Sequence, residues 1–167
     1  MSAYDSDVLV NQGRPLVAYY EQVAAAAGDG KLASNWLQQD VLRTLKEQNR
    51  SIEQYPVPAA ALGELLTIVR RGDLDTARAR EVLTEMAAGG QSAAAVIAAK
   101  GYQKVDDSAL DGLCRQIIAA NPKIIAEIKA GKQQAIGSLI GQAKKHNANI
   151  NPGQFKELLL RLLSEEA

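Results

Sequence analysis

The residues that could take part in covalent or acid–base chemistry are few in this sequence of 167 residues. Cys114 is the one cysteine and His146 the one histidine, so a metal site built from clustered cysteine and histidine ligands is excluded. Cys114 occupies an apolar position of its predicted helix, which indicates a buried structural thiol. His146 follows Lys144 and Lys145 near a predicted helix end, which indicates a solvated or cap-contacting imidazole.

A short glycine–lysine segment, "AGKQQ" at 130–134, has part of the pattern of a phosphate-binding loop. That loop requires glycine at the position of Ala126 and serine or threonine at the position of Gln133, so the motif is absent. The carboxylates are scattered and specify no nucleophile–base pair. We therefore predict no catalytic residue, no metal site and no cofactor for this chain.

The strongest chemical signal is positive charge concentrated in one helical stretch, "NPKIIAEIKAGKQQAIGSLIGQAKK", at 121–145. This stretch contains five lysines, three glycines and a single acidic residue, Glu127. The whole chain, by contrast, is neutral, with 19 basic and 19 acidic side chains. A uniformly basic chain would indicate nucleic-acid binding by itself, so here any such function must rest on this local excess.

Helical periodicity over 133–146 separates an apolar face from a small, basic flank. Gly137 and Gly141 lie together on one side of the helix, close to Gln134, Lys144 and Lys145. A different, core-directed face consists of residues at helical spacing: Ile136, Leu139, Ile140 and Ala143. Two interpretations stay open: the glycines allow a neighbouring helix to pack closely, or they allow a phosphodiester backbone to approach. Each glycine costs about 1 kcal/mol inside a helix, so either interpretation must supply a reason for the pair.

The elements that position these residues are predicted to be helices throughout. Alanine and leucine are abundant, aromatic residues make up 4%, and period-2 alternation is absent, so we predict an all-α fold. Helix starts are marked by proline or by a capping side chain, at Pro15, Asp29, Asp75, Asn121–Pro122 and Asn151–Pro152. Helix stops are marked by glycine, at Gly28, Gly72, Gly89–Gly90, Gly101 and Gly131. The segment "YQKVDDS" is predicted to join two helical subdomains, 1–103 and 104–167.

Residues of the first subdomain give weaker indications. Trp36 belongs to the apolar stripe of the helix that follows Asp29, so we interpret it as core rather than as a ligand platform. Four arginines are interpreted as a solvated face with nearby glutamates as partners. The arginines are Arg70, Arg71, Arg78 and Arg80, and the glutamates are Glu64, Glu81 and Glu85.

Cysteine usage and hydropathy bear on the compartment. A single cysteine permits no internal disulfide, which is consistent with a reducing cytoplasm. The longest apolar run, "AAAVIAA" at 93–99, is far shorter than the roughly 20 residues that a membrane span needs. The N-terminal sequence, "MSAYDSDVLV", lacks the apolar core of a signal peptide. We expect a cytoplasmic protein without a membrane segment.

The segments "NPKIIAEIKAGKQQAIGSLIGQAKK" and "NPGQFKELLLRLL" resemble the C-terminal tail of aspartyl/glutamyl-tRNA amidotransferase B subunits and of the free-standing YqeY-like proteins. Upstream segments also resemble the helical region of those B subunits, in the same order: "SAYDSDVL", "YYEQVAAAAGDGKLASNWL", "LGELLTIVRRGDLDTARAREVLTEM" and "DDSALDGLCRQIIAANP". The resemblance extends over nearly the whole chain. It implies a helical middle domain at 1–103 and a YqeY-like helical tail at 104–167.

The resemblance also implies a function. The full enzyme of this family converts Glu-tRNA(Gln) to Gln-tRNA(Gln), or Asp-tRNA(Asn) to Asn-tRNA(Asn). It uses ATP, Mg and glutamine-derived ammonia, with its kinase site in an N-terminal catalytic domain that this sequence does not show. The helical and tail regions are expected to grip the elbow side of tRNA(Gln) or tRNA(Asn). The A and C subunits are expected partners through the parent protein.

The family's tail motif falls on residues of the basic stretch and its flanks: Asn121, Pro122, Gly131, Lys132, Gly137, Gly141, Gln142, Lys144, Asn151 and Pro152. One departure lies in "HNANINP", where the glycine and basic residue usual in that loop are missing between Asn147 and Asn151. Together with the charge pattern, the motif predicts these RNA-binding residues: Lys123, Lys129, Lys132, Gly137, Gly141, Gln142, Lys144 and Lys145. The alternative is a helical protein-interaction module that docks the catalytic part of the B subunit and ignores RNA.

Overall fold

The computed structural model describes residues 13–165, and all regular secondary structure in that range is helical, which confirms the all-α prediction. The chain divides into two compact units, which we call unit 1 (Met1–Gly101) and unit 2 (Tyr102–Ala167). The assignment of 1–103 and 104–167 as a middle and a tail domain remains a prediction. The predicted segment "SAYDSDVL" lies outside the described residues.

The helices of the described part follow one another through short connections. Those of unit 1 are α1 (Arg14–Ala27), α2 (Gly30–Trp36), α3 (Leu42–Gln48), α4 (Ala59–Arg70), α5 (Thr76–Gly89) and α6 (Ala93–Lys100). Those of unit 2 are α7 (Asp107–Ala120), α8 (Pro122–Lys129), α9 (Ile136–His146) and α10 (Pro152–Glu165). Short 3₁₀ segments lie at Ile52–Gln54 and Gln133–Ala135.

Most predicted helix ends are present, and each has a local cause. Asp29 Oδ1 accepts a hydrogen bond from the backbone N–H of Leu32 at 2.9 Å, which satisfies a donor in the first turn of α2. Asp75 does the same for α5 through the N–H of Arg78, also at 2.9 Å. Gly28 ends α1 in the left-handed conformation, with φ 66°.

The predicted helix start at Asn121–Pro122 is confirmed, because Asn121 stands at the N-cap position of α8, but its side chain makes no capping hydrogen bond. Its Nδ2 instead donates to the carbonyl of Ile117 at 2.9 Å. The predicted continuous helix after Asp29 is interrupted by a π-helical turn, Leu37–Val41, between α2 and α3. Such turns widen the helix by one residue and are often found at functional sites.

The core of unit 1 depends on a close crossing of α1 and α4. Gly63 is buried in α4, directly against Ala26 of α1. The hydroxyl of Thr67 donates to the carbonyl of Ala26 at 3.2 Å, and Nη1 of Arg70 donates to the carbonyl of Gly28 at 2.9 Å. These hydrogen bonds fix the C-terminal end of α1 against α4. The crossing therefore requires a residue without a side chain at position 63.

Unit 2 has its own apolar core, formed by one face of each of its helices. The largest side chains there are completely or almost completely buried: Phe155, Leu159, Leu139, Ile150 and Leu162. Asn151 caps α10 by accepting hydrogen bonds from the N–H groups of Gly153 and Gln154, at 3.0 and 3.4 Å. The predicted Asn–Pro start of α10 is therefore confirmed.

Replacing Gly63 with alanine is expected to destabilise unit 1 by about 1–3 kcal/mol, because the new methyl group overlaps the Cβ of Ala26. Urea denaturation followed by the fluorescence of Trp36, the single tryptophan, measures this change in unit 1. Gly89→Ala is the matched control, since the added Cβ there meets only the side chain of Gln91 at 3.8 Å. Equal midpoints for both variants and the parent would show that the crossing tolerates the methyl group.

Candidate nucleic-acid interface

The apolar face predicted for α9 is confirmed and anchors this helix in the core of unit 2. Ile136, Leu139 and Ala143 are buried, with exposed fractions of 2%, 0% and 0%. Ile140 is partly buried and packs against the same cluster. Because three or four residues separate successive members of this face, the remaining positions of α9 are directed away from the core.

Gly137 and Gly141 form an open edge on α9. Both are exposed, and a Cβ built at either position would meet no heavy atom within 4 Å. The interpretation that this pair accommodates a closely packed helix is therefore wrong for residues 13–165. Neither glycine has a positive φ, so the backbone itself does not require glycine at either position.

Four lysines of the 121–145 stretch are exposed and have no ion-pair partner within the described residues. They are Lys123, Lys129, Lys132 and Lys145. Lys144 differs, because it is partly buried and makes an interaction within the protein. We name these four lysines, together with Gly137 and Gly141, the basic flank. Unpaired ammonium groups retain their full attraction for phosphate, which makes the flank suited to a polyanion.

The turn between α8 and α9 positions Lys132. Gly131 adopts φ 93°, and its N–H donates to the carbonyl of Ile128 at 2.9 Å. The N–H of Lys132 donates to the carbonyl of Glu127 at 3.0 Å. Glycine suits this left-handed position, so the reversal that exposes Lys132 depends on Gly131.

Gln142 makes a reciprocal pair of hydrogen bonds with Asn121. The Nδ2 of Asn121 donates to Oε1 of Gln142 at 2.9 Å, and the Nε2 of Gln142 donates to Oδ1 of Asn121 at 3.1 Å. Both side chains therefore connect the start of α8 to α9. The structure gives Gln142 this positioning contact, and its predicted contact with RNA remains a prediction.

The two reactive side chains lie as their sequence context indicates. Cys114 is completely buried, and burial, with a smaller contribution from the charge of Asp111, raises the pKa of its thiol to about 11. Its sulfur is therefore held as an unreactive thiol at neutral pH. His146 is exposed at the end of α9. Residues 13–165 contain no group of three histidine, cysteine, aspartate or glutamate side chains arranged to hold a metal ion.

The sequence does not predict a second charged cluster, which lies in unit 1. Arg80 is not simply solvated, because its Nε lies 3.0 Å from Oδ1 of the buried Asp40 and its Nη2 donates to Oε1 of Gln39 at 3.0 Å. Its guanidinium also lies 5.9 Å from the ring centroid of Trp36, which is itself buried as predicted. The sequence feature that could have indicated this cluster is Asp40 itself, because it places a carboxylate on the apolar stripe of the helix.

The predicted glutamate partners of the arginines make a different contact. Glu81 and Glu85 lie 4.0 and 3.4 Å from Nζ of Lys100, and so link α5 to α6.

Among the described residues, no single helix combines the length and apolarity needed to cross a bilayer. Among these residues, one pair of consecutive helices, Thr76–Gly89 and Ala93–Lys100, has the required length and apolarity when the two are taken together, but the two helices are bent by 114° relative to each other.

These features define an all-α protein of two helical units, the second of which carries an exposed basic flank. The chain belongs to the GatB domain family, whose model matches residues 18–163. Similar proteins include the aspartyl/glutamyl-tRNA(Asn/Gln) amidotransferase B subunits of Rhodopirellula baltica, at 44% identity over 97% of this chain, and of Bordetella parapertussis, at 41% over 95%. The corresponding B subunit of Moorella thermoacetica is 35% identical over 95% of this chain.

The chain spans about a third of the length of these curated relatives, at 33%, 34% and 34%. The family resemblance stated from the sequence is thereby confirmed. The matched segment corresponds to the C-terminal region of the B subunit.

Gly137→Ala and Gly141→Ala are each expected to stabilise unit 2 by about 0.5–1 kcal/mol, because alanine removes the helix penalty of glycine and its methyl group enters open space. Hydrogen exchange of the buried Leu139 and Ala143 amides, measured by NMR, reports this change. Gly112→Ala in α7 is the matched control, since it is equally open and lies outside the basic flank. Destabilisation at 137 and 141, but not at 112, would show that something packs on this edge.

Proposed function

We propose that this chain is the tRNA-binding part of an amidotransferase B subunit and that the basic flank of unit 2 contacts the phosphate backbone of the tRNA. The observation that carries this proposal is the combination of two open helical glycines with four unpaired, exposed lysines. The names of the relatives support it, because they describe a protein that acts on aminoacylated tRNA(Asn) and tRNA(Gln).

The chemistry of the flank fits folded RNA. An A-form helix presents phosphates and 2′-hydroxyls across a shallow minor groove, and its deep major groove is closed to side chains. Lysines supply strong but sequence-independent attraction to phosphates. Glycines remove side-chain bulk, so an RNA backbone can approach the α9 backbone closely. The flank would therefore recognise the shape of the tRNA elbow rather than a base sequence.

The reaction itself is assigned to the part of the B subunit that this chain does not include. There, ATP would phosphorylate the misacylated carboxylate and ammonia from glutamine would displace the phosphate, with the A and C subunits as partners. Within residues 13–165 no group of histidine, cysteine, aspartate or glutamate side chains is arranged to hold a metal ion, and Cys114 is buried. We therefore propose a binding role for this chain, in the cytoplasm, with tRNA(Gln) or tRNA(Asn) as the ligand.

The double substitution Lys132→Ala/Lys145→Ala is expected to weaken tRNA binding and to make it less dependent on salt. The slope of log K against log salt should fall by about one unit for each lysine–phosphate pair that the variant cannot form. A titration of the full chain with tRNA at two or more ionic strengths measures both effects. Lys31→Ala/Lys46→Ala is the matched control, because it removes two exposed charges from unit 1 instead.

Identical affinity and salt slope in the parent and the Lys132/Lys145 variant would exclude the basic flank as the RNA site. If the parent chain ignores tRNA but binds the remaining part of the B subunit, the alternative interpretation as a protein-interaction module holds. Binding to the remaining part of the B subunit should then be insensitive to salt, because contacts between apolar faces would provide the affinity.

The glycine pair gives a test that separates function from stability. Gly137→Ala/Gly141→Ala should weaken tRNA binding although it stabilises the helix, because two methyl groups now stand where the RNA backbone approaches. Gly112→Ala should leave tRNA affinity unchanged. An affinity in the double variant equal to that of the parent would show that the open glycine edge is not part of the interface.

A further inference from the structure

The side-chain amides of Asn121 and Gln142 form a closed ring of two hydrogen bonds, which we call the amide clasp. Each amide donates to the carbonyl oxygen of the other, at 2.9 and 3.1 Å, and both side chains are partly buried. Two simultaneous bonds fix the relative orientation of the two amide groups, whereas a single bond leaves each group free to turn. The clasp is therefore a rigid connection between the two residues.

Asn121 is anchored on the α7 side of the clasp. Its Nδ2 also donates to the carbonyl of Ile117, in the last turn of α7, at 2.9 Å, so both N–H bonds of this amide are used. Pro122 follows directly and restricts the backbone of Asn121. Gln142 lies on α9 beside the buried Ala143. The clasp thus ties the junction between α7 and α8 to the second half of α9.

The segment between the two clasped residues carries most of the basic flank. The sixth member, Lys145, follows Gln142 by three residues, or about one helical turn. Five of the six members lie within residues 122–141: Lys123, Lys129, Lys132, Gly137 and Gly141. The clasp therefore closes the loop of chain that presents the lysines and the glycines together.

The short helix α8 needs such a connection to hold its lysines in place. It has eight residues, about 12 Å in length, and helices this short are not stable in isolation. At its C-terminal end, the N–H of Lys132 donates to the carbonyl of Glu127 at 3.0 Å, which fixes the turn towards α9. At its N-terminal end, the clasp connects the residue before α8 to α9. The orientation of α8 relative to the glycine edge is thus set at both ends.

We propose that Asn121 and Gln142 are positioning residues for RNA binding, because the clasp fixes the lysines of α8 relative to the open glycine edge of α9 before RNA arrives. The proposal rests on the proposed function, in which the basic flank contacts the phosphates of tRNA. Neither amide is charged, so the clasp adds no attraction for phosphate by itself. It raises affinity because binding no longer has to order the two helices.

Positioning differs from the direct RNA contact that the sequence predicts for Gln142. A direct contact depends on Gln142 alone, whereas positioning depends equally on Asn121. The two residues are 21 positions apart in sequence and act as one unit through the clasp. Their substitutions should therefore be non-additive, because the first one already breaks the clasp.

The test titrates the full chain with tRNA at two or more ionic strengths, for the parent, Gln142→Met, Asn121→Ala and the double variant. Methionine matches glutamine in length and helix propensity but cannot form the paired hydrogen bonds. We expect each single substitution to weaken tRNA binding about three- to tenfold and the double variant to be no weaker. The slope of log K against log salt should stay at the parental value, because the same lysines meet phosphates in the complex.

NMR of the side-chain amide protons gives a second readout. The NH2 signals of Asn121 and Gln142 should keep their positions when tRNA is added, while the backbone amides of Gly137 and Gly141 shift. Gln154→Met is the matched control, since Gln154 is also partly buried but lies on α10, outside the basic flank. This control should change neither the tRNA affinity nor the clasp signals.

Parental tRNA affinity in the two clasp variants, measured on chains whose NMR spectra show unit 2 folded, would overturn the proposal and leave the clasp a structural role. Additive losses, or a shift of the Gln142 NH2 signals on adding tRNA, would also overturn it in favour of direct contact. If Asn121→Ala fails to fold, Gln142→Met and the NMR signals decide.

The Lys132→Ala/Lys145→Ala variant separates this proposal from the proposed function. If that variant binds tRNA more weakly but the clasp variants bind as the parent does, the positioning role is excluded and the proposed function stands. If the lysine variant itself binds tRNA with parental affinity and salt slope, the basic flank is excluded, and the positioning role is excluded with it.

Discussion

The burial of one face of α9 is the constraint on which the candidate interface depends. Ile136, Leu139 and Ala143 must enter the core of unit 2, and the 3.6-residue period then directs Gly137 and Gly141 outward. The helix cannot rotate without exposing these apolar side chains, at roughly 25 cal/mol per Å² of apolar surface. The open edge is therefore fixed by the same packing that stabilises the unit, and its two glycines are maintained against helix propensity.

The two units treat positive charge in opposite ways. In unit 1 the guanidinium of Arg80 is held by Asp40, Gln39 and Trp36, so its position is defined before any ligand arrives. In unit 2 the four lysines of the basic flank have long flexible stems and no ion-pair partners among the described residues. Fixed arginines favour a small ligand of defined geometry, and free ammonium groups favour an extended phosphate backbone. This difference separates a charged cluster of fixed geometry in unit 1 from flexible, solvated charges in unit 2.

Family membership and physical chemistry address different levels of function. The match over residues 18–163 places the chain in the GatB domain family, and the similar proteins are named as subunits of a tRNA amidotransferase. The match does not say which residues of this chain would contact RNA. The exposed lysines and the open glycines supply that detail as a proposal. These features belong to named residues, so each residue can be substituted and its contribution measured.

The sequence by itself determined the helices, most of their ends and the buried face of α9, because capping residues, glycine stops and apolar periodicity act over a few neighbouring residues. Only the tertiary structure decided that nothing described packs on Gly137 and Gly141, that Asn121 bonds to Gln142, and that Arg80 reaches Asp40. These contacts join residues about 20 or 40 positions apart, and no local pattern encodes which distant side chain completes a hydrogen bond. The π-helical turn at Asp40 was hidden for the same reason, since its formation depends on what the widened turn packs against.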